Sequence, residues 1–66
     1  MKDNTILLRR PEVERRVGLR RASIYKWMAE GTFPKPVKLG EKAVAWVETE
    51  IDQWVSDRIE QRDSGR

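Results

Sequence analysis

A mainly helical domain carrying one small β-hairpin is the fold class this sequence predicts, in the order helix, helix, two-stranded wing, helix. Three observations predict it. Ile24, Trp27 and Met28 recur at i, i+3, i+4 ahead of Gly31, the pattern of a helix with one buried stripe and a glycine stop. A shorter run with Val13 and Val17 at i, i+4 ends at Gly18, a tight turn upstream of it. Downstream, Phe33-Pro34-Lys35-Pro36 cannot be helical, because each proline pushes its predecessor toward an extended conformation, and two short apolar runs then flank Gly40-Glu41-Lys42.

The elements follow in chain order. Ile6-Leu7-Leu8 fits either an initial strand or an arm packed on the core, and periodicity does not separate the two. Pro11 suits the first turn of a helix, since it loses no hydrogen bond there and its φ is already helical. Val13 and Val17 form that helix's buried stripe, with Glu14, Arg15 and Arg16 outside and Leu19 beneath the turn. A second helix runs from Arg21 to Glu30. Its outward side is Ala22 and Lys26 flanked by Ser23 and Tyr25, which is small, polar and basic. Val37-Lys38-Leu39 and Ala43-Val44-Ala45-Trp46 make the hairpin. The last helix begins near Val47 to Thr49 and carries Ile51, Trp54, Val55 and Ile59 on one side. Past about Arg58 the pattern weakens into a polar stretch expected to fray.

Residues 1–66 therefore read as a single domain, ordered over about 6–60. A chain of this size buries only roughly 60% of its unfolded surface, so large side chains must anchor the core. Trp27, Trp46 and Trp54 fit that role, each burying about 150–250 Å². With no cysteine, neither disulfides nor thiolate zinc can help. With no histidine, the commonest general base and the imidazole metal ligand are missing, so an enzyme is not expected, nor any cofactor. No apolar run approaches the ~18–20 residues of a membrane span, and Met1-Lys2-Asp3-Asn4-Thr5 lacks a signal-peptide apolar region. A cytoplasmic, nucleoid-associated protein is expected.

Net charge is +3, unevenly spread. Residues 1–47 carry eleven Lys/Arg against five Asp/Glu, a net of +6, whereas residues 48–66 carry three against six, a net of −3. Such asymmetry points to a polyanionic partner. Two helices joined by a short glycine-containing turn, then a hairpin, form a winged helix-turn-helix, which projects its second helix into a DNA major groove. A small partnerless α+β core has the same element order, so side-chain chemistry must decide.

Arg20 and Arg21 stand at the amino end of the second helix, where the helix dipole disfavours a cation by roughly 0.3–1 kcal/mol. A phosphate there reverses the sign, and one arginine can instead grip guanine O6 and N7. The competing reading is two well-solvated arginines. Lys26 suits a phosphate or a guanine, Ser23 a short hydrogen bond, and Tyr25 the backbone or a thymine methyl, although Tyr25 also fits a packing role. Lys38 and Lys42 bracket the hairpin tip, after Lys35, where they add phosphate contacts or protect the strand edge. Glu48, Glu50, Asp52 and Asp57 suggest no metal or acid–base site; the first three open a helix, where acids suit its positive end.

These residues resemble the AlpA-like prophage regulators, related to excisionase and MerR-type winged helix-turn-helix domains. The resemblance rests on Leu7-Leu8-Arg9, Pro11-Glu12-Val13, Gly18-Leu19, Ser23-Ile24-Tyr25-Lys26, Glu30-Gly31, Phe33-Pro34-Lys35-Pro36-Val37-Lys38-Leu39-Gly40 and Ala43-Val44-Ala45-Trp46, and covers roughly residues 6–58. It implies DNA binding through the second helix and wing, in control of phage or mobile-element genes or in excision. The sequence departs from the family's usual pattern at Arg20, where serine is frequent, at Val47, where arginine is frequent, and at Arg10, where an apolar residue is frequent.

The expected function is thus sequence-specific binding of double-stranded DNA by a transcriptional regulator. Two other readings stand beside it: an architectural excision factor that bends its site, and an adaptor whose acidic last helix contacts a recombinase or polymerase. A footprint this small calls for repeated sites, self-association or a cooperating protein. No membrane or small-molecule partner is expected.

Overall fold

The computed structural model describes residues 4–65; the expected domain's residues 1–3 and 66 lie outside the described residues. The order is β1 (Leu7–Leu8), α1 (Arg10–Val17), α2 (Arg21–Ala29), β2 (Val37–Lys38), β3 (Val44–Val47) and α3 (Glu48–Ser64). The helix, helix, hairpin, helix sequence is the one expected, and the fold is compatible with a winged helix-turn-helix.

Of Ile6-Leu7-Leu8, Leu7 and Leu8 form a strand, and Ile6 just before it accepts at its O from Glu48 N–H at 2.8 Å. β1 pairs antiparallel with β3, Leu7 opposite Val47 and Leu8 opposite Trp46, while β2 pairs with the other edge of β3, Val37 opposite Ala45 and Lys38 opposite Val44. The wing is therefore part of a three-stranded sheet in the order β1-β3-β2 rather than an isolated two-stranded ribbon. That third strand has a physical purpose, because a lone hairpin is at best marginally stable in water. The hairpin closes through Leu39 N–H to Ala43 O at 2.7 Å, leaving Gly40-Glu41-Lys42 as the tip. Among the described residues only Gly18 and Gly31 have positive φ, at 73° and 81°, so the tip turns without using Gly40's left-handed freedom.

Packing centres on Trp46, Ile24, Ile51 and Val13, all fully buried, with Leu8 and Phe33 beside them. Burying each such aliphatic side chain contributes about 1.5–3 kcal/mol. Val17, Leu19, Trp27, Met28, Val44 and Trp54 pack around this centre, partly exposed. By strand alternation Leu8 and Trp46 share one face of the sheet with Val44, and Leu7, Val47, Ala45 and Val37 share the other, where Ala45 is nonetheless fully buried. The proline connector is tied down by two indoles, Trp46 Nε1 donating to Pro34 O at 3.0 Å and Trp54 Nε1 to Thr32 O at 2.8 Å. Phe33 meets the Trp54 ring edge-on at 4.9 Å. The Arg58 guanidinium lies 5.0 Å from the Trp27 ring centre and 4.9 Å from that of Trp54, covering both.

Two helix boundaries differ from expectation. α1 begins at Arg10, so Pro11 occupies its second position, equally free of a required N–H bond. α3 continues to Ser64, beyond the end of its apolar stripe. Local pairs accompany that extension: Gln53 to Asp57, Arg58 to Gln61 and Ser64 Oγ to Glu60 O. No helix among the described residues is long and apolar enough to cross a membrane.

Candidate nucleic-acid interface

The geometry of the α1–α2 pair is set by Gly18. Its left-handed conformation (φ 73°, ψ 21°) lets its N–H close on Glu14 O at 2.9 Å, ending α1. The chain then needs only Leu19 and Arg20 to enter α2. Arg20 is the N-cap, extended at φ −93° and ψ 169°, with no side-chain capping bond and no acid in the first turn. The first α2 amides are thus uncapped by any side chain, and Arg20 and Arg21 put two guanidinium groups at this helix end.

Arg20, Arg21, Tyr25 and Lys26 are exposed on this helix, together with Ala22; Ser23 is half-buried. Lys38 and Lys42 are exposed on the hairpin. Three of these seven candidates meet in one cleft of about 370 Å³. Its walls are Arg9, Arg10 and Pro11 at the start of α1, Arg21 and Tyr25 on α2, and Glu41, Lys42 and Val44 on the hairpin. The Arg21 guanidinium sits 5.6 Å from the Tyr25 ring centre, so Tyr25 is both solvent-facing and a platform for a cation. Arg20, Ser23, Lys26 and Lys38 lie outside this cleft's lining.

The arginines of α1 are already paired. Arg15 and Arg16 both bind Glu12, and Arg16 also reaches Glu48 at 3.0 Å and Asp52 at 3.7 Å, tying α1 to α3. Arg10 pairs with Glu14 at 3.1 Å. These contacts hold the Glu12 carboxyl below its ordinary range, through the hydrogen bond from Arg16 first and that from Arg15 second. They raise Arg16 further, chiefly through Glu12 and then Glu48. By contrast, among the described residues Arg20, Arg21, Lys26, Lys38 and Lys42 make no ion pair.

Residues 6–59, which include α1, α2, the hairpin and most of α3, match the family described as prophage CP4-57 regulatory protein (AlpA). The chain belongs to the AlpA family. Among its relatives is the DNA-binding transcriptional activator AlpA of Escherichia coli (strain K12), 45% identical over 58 residues that cover 79% of this chain and 83% of the relative. Another is the uncharacterized protein ORF88 of Enterobacteria phage P4, 45% identical over 58 residues, covering 88% of this chain and 66% of that protein.

Within this AlpA-family chain, the missing N-cap at Arg20 is visible as an uncapped helix start; replacing a serine-type cap costs about 1 kcal/mol. Residue-by-residue reading overlooked Arg9. Its Nε donates to Val44 O at 3.1 Å, linking the start of α1 to the hairpin strand β3. Only the three-dimensional fold brings the two together, 35 positions apart, so no local sequence signal marks the contact.

Proposed function

We propose that this AlpA-family chain is a sequence-specific, double-stranded-DNA-binding transcriptional regulator of phage or mobile-element genes. α2 enters the major groove and the hairpin lies along the flanking backbone. Arg21 and Lys26 are the candidates for base edges, with Arg20, Ser23 and Tyr25 supporting and Lys38 and Lys42 on phosphates. The observation that carries this reading is the 45% identity to a DNA-binding transcriptional activator across most of both chains. The absence of ion pairs at Arg20, Arg21, Lys26, Lys38 and Lys42, among the described residues, supports it. An isolated fold gains nothing from holding cations at a helix amino end, whereas a phosphate there stabilises both.

Selection of bound fragments from a random duplex pool tests the reading. Enrichment of one sequence motif is expected, with affinity falling steeply in salt as neutralised phosphates release their counterions. A pool that stays random through successive rounds contradicts it.

A further inference from the structure

We propose that the cleft between the start of α1, α2 and the hairpin tip seats one phosphodiester of the DNA backbone, and that Arg9 is a direct contact in it. The inference rests on the DNA-binding reading above. Three cations line the cleft without a carboxylate partner among the described residues: Arg9, Arg21 and Lys42. The fourth, Arg10, is already engaged by Glu14. Like charges gathered on a concave wall repel one another and focus a positive potential, which an incoming anion relieves.

Arg9 is the best-oriented of the three. Its Nε is fixed on Val44 O at 3.1 Å, while its two terminal amino groups make no hydrogen bond or ion pair among the described residues. A guanidinium held at one nitrogen and free at the others presents its fork to a phosphate with little ordering left to do. Arg9 thereby joins two tasks, holding the hairpin against α1 and meeting the same backbone segment that Lys42 approaches from the tip. Glu41 is the one acid in the lining, and it opposes such an anion.

The test is anisotropy titration of a labelled random-sequence duplex with the full chain over a salt series, using Arg9→Gln, Arg9→Lys, Glu41→Gln and, as a control outside the cleft, Glu60→Gln. Circular dichroism melts accompany each. Arg9→Gln is expected to lower the slope of log affinity against log salt by about 0.9, one phosphate's share, and Arg9→Lys to restore it. Glu41→Gln is expected to tighten binding more than Glu60→Gln. If wild type binds but Arg9→Gln keeps the full slope, or Arg9→Lys shows the same reduced slope as Arg9→Gln, Arg9 is a strut and the seat is refuted. Should Arg9→Gln fail to fold, Glu41→Gln decides alone: tightening no greater than that of Glu60→Gln refutes the seat. Wild type that ignores the duplex at every salt concentration overturns the DNA-binding reading itself.

Discussion

Two regions of this domain use the same residue types to opposite ends. Along the α1–α3 seam, Arg15 and Arg16 are satisfied by Glu12, Glu48 and Asp52, and the positive charge is consumed in holding helices together. Across α2 and the hairpin, Arg20, Arg21, Lys26, Lys38 and Lys42 find no acid among the described residues. The difference teaches that net charge is a poor guide to a binding face. What distinguishes the faces is how much of the charge the fold has already neutralised.

The comparison breaks most readily at Arg21. Arg21→Ala should weaken binding to the selected DNA site by about 1–3 kcal/mol if it reads a base, with an unchanged melting temperature; equal affinity by anisotropy would remove Arg21 from the face. Next comes the turn that sets the two regions at their angle. Gly18→Ala meets no steric obstacle but must adopt φ 73°, so chemical denaturation should show a loss of about 1–2 kcal/mol.

Arg16→Ala sharpens the contrast from the other side. Its solvent-screened pairs to Glu12 and Glu48 should contribute little to stability, so the denaturation midpoint should barely move and DNA affinity should not change. A variant stable but deficient in DNA binding would place Arg16 with the other group. The smallest effect is on pH. Because Glu12 is held below its ordinary value in the folded chain, its contribution is present above the unfolded value of about 4.3 and disappears as pH falls through the lower folded one. Glu12→Gln should therefore flatten the acid limb of the stability–pH curve and leave neutral pH nearly unchanged apart from the lost pairs.

Much of this architecture is legible in the sequence, for identifiable reasons. α2 announces itself because Ile24, Trp27 and Met28 keep helical spacing and Gly31 stops it; Gly18 and the Phe33–Pro36 connector punctuate the rest. Of the three tryptophans expected to anchor the core, Trp46 is fully buried while Trp27 and Trp54 pack partly exposed at its edge, and the carbonyls that the Trp46 and Trp54 indoles bind, on Pro34 and Thr32, are not legible. β1 is only half legible, as a strand or an arm, because two residues have no periodicity and its partner strand lies far along the chain. The outward side of α2 follows from the helical wheel. The cleft joining Arg21 and Tyr25 to Lys42 and Arg9 does not, since it forms only when β3 brings the hairpin back beside α1. Ser23, expected on the outward flank, is half-buried: a wheel gives direction but not what stands opposite.

The most direct test of the central claim is a map of backbone amide chemical shifts as the selected duplex is titrated into the labelled protein. The account predicts that the largest changes fall on residues 20–26 and on the hairpin around Lys38 and Lys42, with the α1–α3 seam at Arg16 and Glu48 quiet. Changes concentrated on α3, with α2 unaffected, would contradict it.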